Sequence, residues 1–122
     1  MRETVPAGKY YLGDPCYSFD KNWGEVLDSS DFFQKPYEKN GLIAIGFSTA
    51  YGDGRYNDQF GNEYPVDAGM IGLVQVGLED RTPTGVLTVE FSKPTECYSE
   101  GEGTLHFGKY KIETGDLEDE EE

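Results

Sequence analysis

Short runs of apolar residues along this chain are separated by stretches rich in Gly, Pro, Asn and Asp, a pattern typical of short strands joined by tight turns. The most apolar run, Gly41 to Thr49, predicts a central strand that is buried on both faces. A first strand is predicted from Lys9 to Leu12, where Gly13-Asp14-Pro15 ends it. Two further strands are expected around Thr104 to Phe107 and Lys109 to Glu113.

Two β-hairpins are predicted in the middle of the chain. Arg55 to Asn57 can pair with Glu63 to Val66 around residues 59–62, since Gly and Asn tolerate the positive φ of hairpin turns. Met70 to Leu78 and Val86 to Phe91 are expected to form the other hairpin. Its second arm alternates apolar and polar residues with the period of two that one buried face requires.

One short helix is predicted between residues 19 and 33. Its apolar face comprises Trp23, Val26 and Leu27. Asp20 is placed as its N-cap, and Lys35-Pro36 ends the segment. Phe32 and Phe33 are expected to tuck into the core beneath this helix.

About seven or eight short strands and one short helix predict a mainly β fold, a small antiparallel barrel or sandwich, of which we favour the barrel. A chain of 122 residues suits one hydrophobic core. We therefore expect a single β-rich domain over residues 1–114, followed by a disordered acidic tail over residues 115–122.

The chain is strongly acidic, with 24 Asp and Glu against 10 Lys and Arg and a net charge of −14. Six of the acidic residues lie in the tail, and the 18 that remain still outnumber the basic ones. Such a field repels phosphate backbones and anionic lipid, which argues against direct binding to nucleic acid or a membrane. A basic partner is favoured instead.

The N-terminal residues lack the apolar stretch of a secretory signal, and no apolar run is long enough to span a bilayer. We therefore expect a cytosolic protein. In a reducing cytosol Cys16 and Cys97 are predicted to be free thiols.

Catalytic chemistry has weak support in the sequence. The one histidine, His106, could serve Cys16 as a base, and Asp14 and Asp67 could form an aspartic dyad, but a structural role is the better interpretation of each. Asp14 before proline is predicted to cap its turn by accepting backbone N–H groups.

Metal and cofactor binding are not expected. Asp53, Asn57 and Asp58 resemble a fragment of a calcium loop, but the Gly and Glu positions of such a loop are not met. Two cysteines and one histidine cannot supply a zinc shell without carboxylates.

The stretch from Thr49 to Leu73 combines turn residues with rigid polar side chains and is the predicted recognition site. Its candidate binding residues, together with two from the first turn, are Tyr51, Asp53, Tyr56, Tyr64, Asp67, Asp14 and Tyr17. The alternative is that the rings pack on the fold and the carboxylates are merely solvated.

Three motifs carry a resemblance to a known family: GDPCY at residues 13–17, TAYGDGRY at 49–56 and NEYPVDAGMIGL at 62–73, with Trp23 between the first two. In these the chain resembles a family of small proteins encoded by bacteriophages, prophages and some bacteria, for which no activity is settled. The resemblance transfers no catalytic residue. It implies expression in a host cytoplasm, where small acidic phage proteins often act by occupying a host protein.

The function expected from these observations is that of a non-enzymatic phage accessory protein. It would bind and inhibit a basic host protein, a defence or nucleic-acid-handling one, through an acidic surface that mimics nucleic acid. One alternative is a pocket that sequesters a small nucleotide between tyrosines, provided that Arg55, Lys9 or Arg81 converge locally. Another is a small hydrolase that uses Cys16 or the Asp pair, and the oligomeric state is left open.

Overall fold

The computed structural model describes residues 2–101 and 103–115 and contains one α-helix, one 3-10 turn and eleven strands within them. The first half comprises β1 (Arg2–Val5), β2 (Gly8–Gly13), the 3-10 turn (Pro15–Ser18), α1 (Trp23–Ser30), β3 (Tyr37–Lys39) and β4 (Leu42–Ser48). The second half comprises β5 (Gly54–Asn57), β6 (Glu63–Val66), β7 (Met70–Gln75), β8 (Leu87–Phe91), β9 (Thr95–Glu100), β10 (Thr104–Phe107) and β11 (Tyr110–Glu113). The predicted tail lies outside the described residues from Asp116 onward.

The strands form a five-stranded sheet in the order β3-β4-β7-β2-β8, a four-stranded sheet in the order β1-β9-β10-β11, and the β5-β6 hairpin. All strand pairs are antiparallel. The predicted mainly β class with one short helix is confirmed. The antiparallel sheets agree with the predicted small barrel or sandwich. The strand count exceeds the predicted seven or eight because β1, β3 and β9 are too polar to stand out in the sequence.

One predicted hairpin is wrong. β7 and β8 do not pair with each other, because β2 lies between them and pairs with both; Tyr10 stands opposite Gln75 on one side and Val89 on the other. The connection from Val76 to Val86 is longer than the two to five residues of usual hairpin loops, and this length lets it pass around β2. The β5-β6 hairpin forms as predicted. The two predicted last strands are β10 and β11, which pair with each other.

The main core lies between the two sheets. Phe47 of β4 and Phe107 of β10 meet there with ring centroids 5.6 Å apart. Its buried members also include Val5, Tyr10, Leu12, Ile45, Tyr56, Tyr64, Val66, Ile71, Leu73, Val89, Phe91, Cys97, Leu105 and Ile112. Both sheets and the β5-β6 hairpin contribute residues to this one cluster.

A second, smaller core lies beneath α1 on the outer face of the five-stranded sheet. Ala44 of β4 and Val74 of β7 face Val26 of the helix, whereas Ile45 and Leu73, their neighbours in the chain, face the main core. The predicted central strand is therefore buried on both faces, as expected.

The predicted N-cap of the helix is wrong. Asn22, not Asp20, precedes the first helical residue, and the Asp80 carboxylate accepts the backbone N–H groups of both Asp20 and Asn22. A carboxylate from a distant loop therefore accepts hydrogen bonds at the start of the helix, where a local side chain was expected to accept them. Among the residues that the structure describes, no helix has the length and apolarity that crossing a bilayer requires.

Candidate functional site

The carboxylate of Asp14 joins two turns that are far apart in the sequence. Its Oδ1 accepts the Cys16 N–H at 2.9 Å, and its Oδ2 accepts the N–H groups of Asp67 and Ala68, each at 2.7 Å. The residue is fully buried and has the extended backbone that precedes a proline. The predicted capping role of Asp14 is confirmed, and it extends to the turn after β6.

The side chains around Asp14 hold their protons. Burial, followed by the negative charge of Asp14, the hydrogen bond to Asp14 and the negative charge of Asp67, raises the pKa of the Cys16 thiol to about 12. Burial and a hydrogen bond to Asp67 raise the pKa of Tyr17 to about 12. A nucleophilic cysteine needs a lowered pKa, so this environment opposes the chemistry that a Cys16 hydrolase would use.

We expect Cys16 to react slowly with iodoacetamide near neutral pH. A rise in the pKa from 9.0 to about 12 lowers the thiolate fraction roughly a thousandfold. Cys97 is buried and its pKa is also raised to about 12, so both thiols should label slowly in the folded protein. Mass spectrometry should show little alkylation in buffer and full alkylation in urea. Rapid labelling of Cys16 in buffer would contradict a raised pKa of its thiol.

Arg81, in the connection between β7 and β8, bonds to the turn that follows β2. Its Nε donates to the Tyr17 carbonyl at 3.0 Å and its Nη2 to the Cys16 carbonyl at 2.9 Å. Arg55 pairs with Glu63 at 3.2 Å, and Lys9 stands opposite Glu90 in the β2-β8 pairing. Each of these three cations therefore has a different partner in the fold.

The other catalytic pairs have different partners in the fold. Asp67 meets Asp14 through its backbone N–H, while its exposed carboxylate bonds to Tyr17. The His106 ring stacks on Tyr98 with centroids 4.3 Å apart, and its Nε2 lies 2.5 Å from Glu100 Oε1. The contacts of His106 are thus with strand neighbours and not with Cys16.

Two of the predicted binding tyrosines lie in the core. Tyr64 is fully buried and donates its hydroxyl to Asp58 Oδ2 at 2.7 Å. Tyr56 is buried and donates its hydroxyl to the Gly52 carbonyl at 3.0 Å. Neither ring is accessible to a partner, because burying a large aromatic ring in the core stabilises the fold.

Asp58, which in the sequence resembles part of a calcium loop, caps the turn between β5 and β6. Its Oδ1 accepts the backbone N–H groups of Phe60 and Asn62 at 2.9 and 3.0 Å, and its Oδ2 accepts the Asn62 side-chain amide. Burial alone raises the pKa of Asp58, but the bonds from Asn62, Tyr64 and these backbone groups outweigh burial and lower it. Within residues 2–101 and 103–115, no three His, Cys, Asp or Glu side chains are grouped as a metal site requires.

Tyr51 and Asp53 stand on the turn between β4 and β5. Tyr51 is 46% exposed and Asp53 is exposed. Thr49 fixes this turn, since its N–H donates to the Gly69 carbonyl at 3.0 Å and its Oγ1 donates to the Gly52 carbonyl at 2.7 Å. The fold thus brings Asp14, Tyr17 and Asp67 together, with Tyr51 and Asp53 on the adjoining turn.

A second surface, around α1, was not singled out in the sequence. We call it the acidic helix surface, and its carboxylates are Asp20, Glu25, Asp28, Asp31 and Asp80, all of them exposed. In the described part of the chain none of them forms an ion pair; the carboxylates that do are Glu63, Glu96, Glu100 and Glu113. A cationic partner would therefore meet carboxylates that form no direct ion pair within the described residues.

The helix ends in an unusual left-handed turn. Asp31, Phe32 and Phe33 have φ of 54°, 57° and 63°, a region that costs a non-glycine residue about 1–2 kcal/mol. The buried Ser30 hydroxyl supports the turn, because its Oγ donates to the Val26 carbonyl at 2.6 Å and accepts the Phe33 N–H at 3.0 Å.

This turn separates the two phenylalanines. Phe33 is buried against Trp23, and Gly46 beneath it makes room, since a Cβ there would lie 3.2 Å from the Phe33 ring. Phe32 is 62% exposed beside a cavity of about 180 Å³ that Met70 also lines. The expectation that both rings enter the core is wrong for Phe32, because consecutive left-handed residues turn neighbouring side chains in different directions.

Comparison of the chain with protein-family models, with curated proteins and with solved structures finds no match. A fold class by itself does not imply a function. Function is therefore inferred from the chemistry of these two surfaces.

Proposed function

We propose that the protein works by binding a basic partner protein, and that the acidic helix surface together with Phe32 forms the contact. The observation that carries this proposal is the exposure of a large aromatic ring on a strained turn that is flanked by unpaired carboxylates. The proposed setting is a host cytoplasm, where the protein would occupy a host defence or nucleic-acid-handling protein and inhibit it without catalysis.

The charge of the surface favours a basic partner on physical grounds. A carboxylate that already has an ion pair gains little interaction energy from a second cation. The carboxylates of the acidic helix surface form no ion pair among the described residues. The protein's net charge of −14 adds a long-range field that steers a cationic partner toward it.

Phe32 supplies the apolar part of the contact. Aromatic residues near the centre of an interface are common hot spots, particularly where polar groups surround them. Strained backbone is found where a side chain must be held for function, and Phe32 is the middle residue of the left-handed turn. The backbone that carries the ring is hydrogen-bonded before binding, since the Phe32 N–H donates to the Leu27 carbonyl at 2.8 Å, so less conformational entropy is lost on association.

The arrangement suits a mimic of nucleic acid. Glu25 and Asp28 are three residues apart on α1, so their Cβ atoms lie about 5–6 Å apart on one face of the helix. Asp31 follows at the end of the helix, and Asp80 lies at its start. A row of fixed carboxylates of this kind can occupy a groove whose Lys and Arg side chains normally bind phosphates.

The proposal is tested by placing a photoreactive benzoylphenylalanine at Phe32 or, as the control, at Phe60. Both rings are exposed, by 62% and 58%, but Phe60 lies against Tyr110 away from α1. In host lysate we expect the Phe32 derivative to crosslink to a basic protein and the Phe60 derivative not to. Equal crosslinking at both positions, or acidic proteins alone at Phe32, would contradict the proposal.

A further inference from the structure

One cavity is lined by two lysines, although the protein as a whole is strongly acidic. It measures about 500 Å³ and lies between the loop that joins β8 to β9 and the turn that joins β10 to β11. Lys93 in the loop and Lys109 in the turn both line it, and both are exposed. Across residues 2–101 and 103–115, neither lysine forms an ion pair.

Two carboxylates, Glu90 and Glu96, also line this cavity, and each has a cation on the neighbouring strand. Glu96 pairs with Arg2 at 2.6 Å. Glu90 stands opposite Lys9 in the antiparallel β2-β8 pair, so the two side chains share one face of the sheet. With Arg2 and Lys9 included, four cations surround the cavity against two carboxylates. The Lys109 ammonium also lies 5.5 Å from the centre of the Tyr110 ring.

The walls of the cavity are apolar and held in place. Phe91, Pro94 and Tyr98 line it, and the Tyr98 ring is held between the His106 ring and the Arg2 guanidinium, 4.3 and 4.4 Å from their centres. Gly108 has a φ of +60°, and a Cβ there would lie 2.8 Å from the Thr95 side chain. The turn therefore packs closely against the loop, and the cavity is formed before any ligand arrives.

We infer that this cavity binds a small phosphate monoester, with the phosphate between Lys93 and Lys109 and the organic part against the apolar wall. Its volume lies within the roughly 300–1,000 Å³ of small-molecule sites. A phosphate monoester carries close to two negative charges near neutral pH, which two ammonium groups match, and lysine is a regular phosphate ligand. This site is separate from the acidic helix surface and does not depend on the function proposed for it.

The inference is tested by titrating isotope-labelled protein with AMP, adenosine or inorganic phosphate at constant ionic strength and following amide chemical shifts by NMR. AMP is expected to shift the amides of Lys93, Thr95 and Gly108 in a saturable way, and adenosine and phosphate to bind at least tenfold more weakly. Absence of saturable shifts with AMP, or equal affinity for inorganic phosphate, would overturn the inference.

A matched pair of variants separates this cavity from general electrostatics. Lys93→Gln/Lys109→Gln is expected to lower the AMP affinity at least tenfold. Lys35→Gln/Lys39→Gln changes the net charge equally at another cavity, of about 390 Å³, and it should leave the affinity unchanged. Equal losses in the two variants would show a nonspecific charge effect and refute the site.

Discussion

Replacement of Gly72 by alanine is expected to prevent the five-stranded sheet from forming. A Cβ at Gly72 would lie 1.9 Å from the Ile45 carbonyl oxygen and 2.7 Å from the Gly46 Cα, and backbone atoms of a paired strand cannot move aside. β4 and β7 would have to separate where Gly46 and Gly72 face each other in register. The cost should be roughly 4 kcal/mol or more, a large part of the 5–15 kcal/mol of a typical domain.

Urea unfolding followed by circular dichroism measures this effect. Gly24→Ala in α1 is the control, because nothing lies within 4 Å of its added Cβ. The control should gain about 0.5–1 kcal/mol, since alanine favours a helix over glycine. A Gly72→Ala protein that unfolds at the wild-type urea concentration would show that the two strands are not this close.

Replacement of Asp14 by alanine is expected to cost about 3–5 kcal/mol of folding free energy. The substitution leaves the N–H groups of Cys16, Asp67 and Ala68 without their acceptor, and an unmet buried donor costs about 1–3 kcal/mol. Asp14→Asn keeps only one carbonyl oxygen, so it should lose part of this amount.

Amide hydrogen exchange separates this local role from general destabilisation. Asp14→Asn should increase the exchange rates of the Asp67 and Ala68 amides, relative to the wild type, more than those of the β10 amides, which Asp14 does not contact. Asp53→Asn is the matched control, because Asp53 is exposed and its replacement should change stability by less than about 0.5 kcal/mol. Unchanged stability in Asp14→Ala would refute the joining of the two turns by its carboxylate.

Local patterns in the sequence predict the local parts of this fold. The run from Gly41 to Thr49 indicates a strand buried on both faces because its residues are nearly all apolar, and β4 is that strand. Asp14 before Pro15 predicts a cap because both the carboxylate and the restricted backbone lie within one turn. The β5-β6 hairpin follows from its Gly and Asn turn residues in the same way.

Contacts between distant segments could not be predicted in this way. No local signal places β2 between β7 and β8, or pairs Asp14 with amides more than 50 residues away. Tyr64 resembles any surface tyrosine in the sequence, and only its distance to Asp58 reveals a buried hydroxyl with an acceptor. Overall acidity was evident from the composition, but which carboxylates lack a cation depends on the packing of side chains.

The same limit applies to Phe32 and Phe33. In the sequence, two adjacent phenylalanines after a helix are expected to be buried together. The left-handed turn instead places one ring in the core and the other in solvent. A signal was present in Ser30 and Asp31, since both residue types favour helix ends, but it indicates only that the helix stops there.

The most direct test of the central claim is the dissociation constant of the crosslinked basic partner, measured between about 50 and 200 mM NaCl. We expect affinity to fall steeply with salt, and Glu25→Gln/Asp28→Asn/Asp31→Asn to reduce both the affinity and its salt dependence. The control Glu63→Gln/Glu96→Gln/Glu113→Gln removes the same charge from carboxylates that already have partners and should leave both nearly unchanged. An affinity that is insensitive to salt, or equal losses in the two triple variants, would contradict binding through the acidic helix surface.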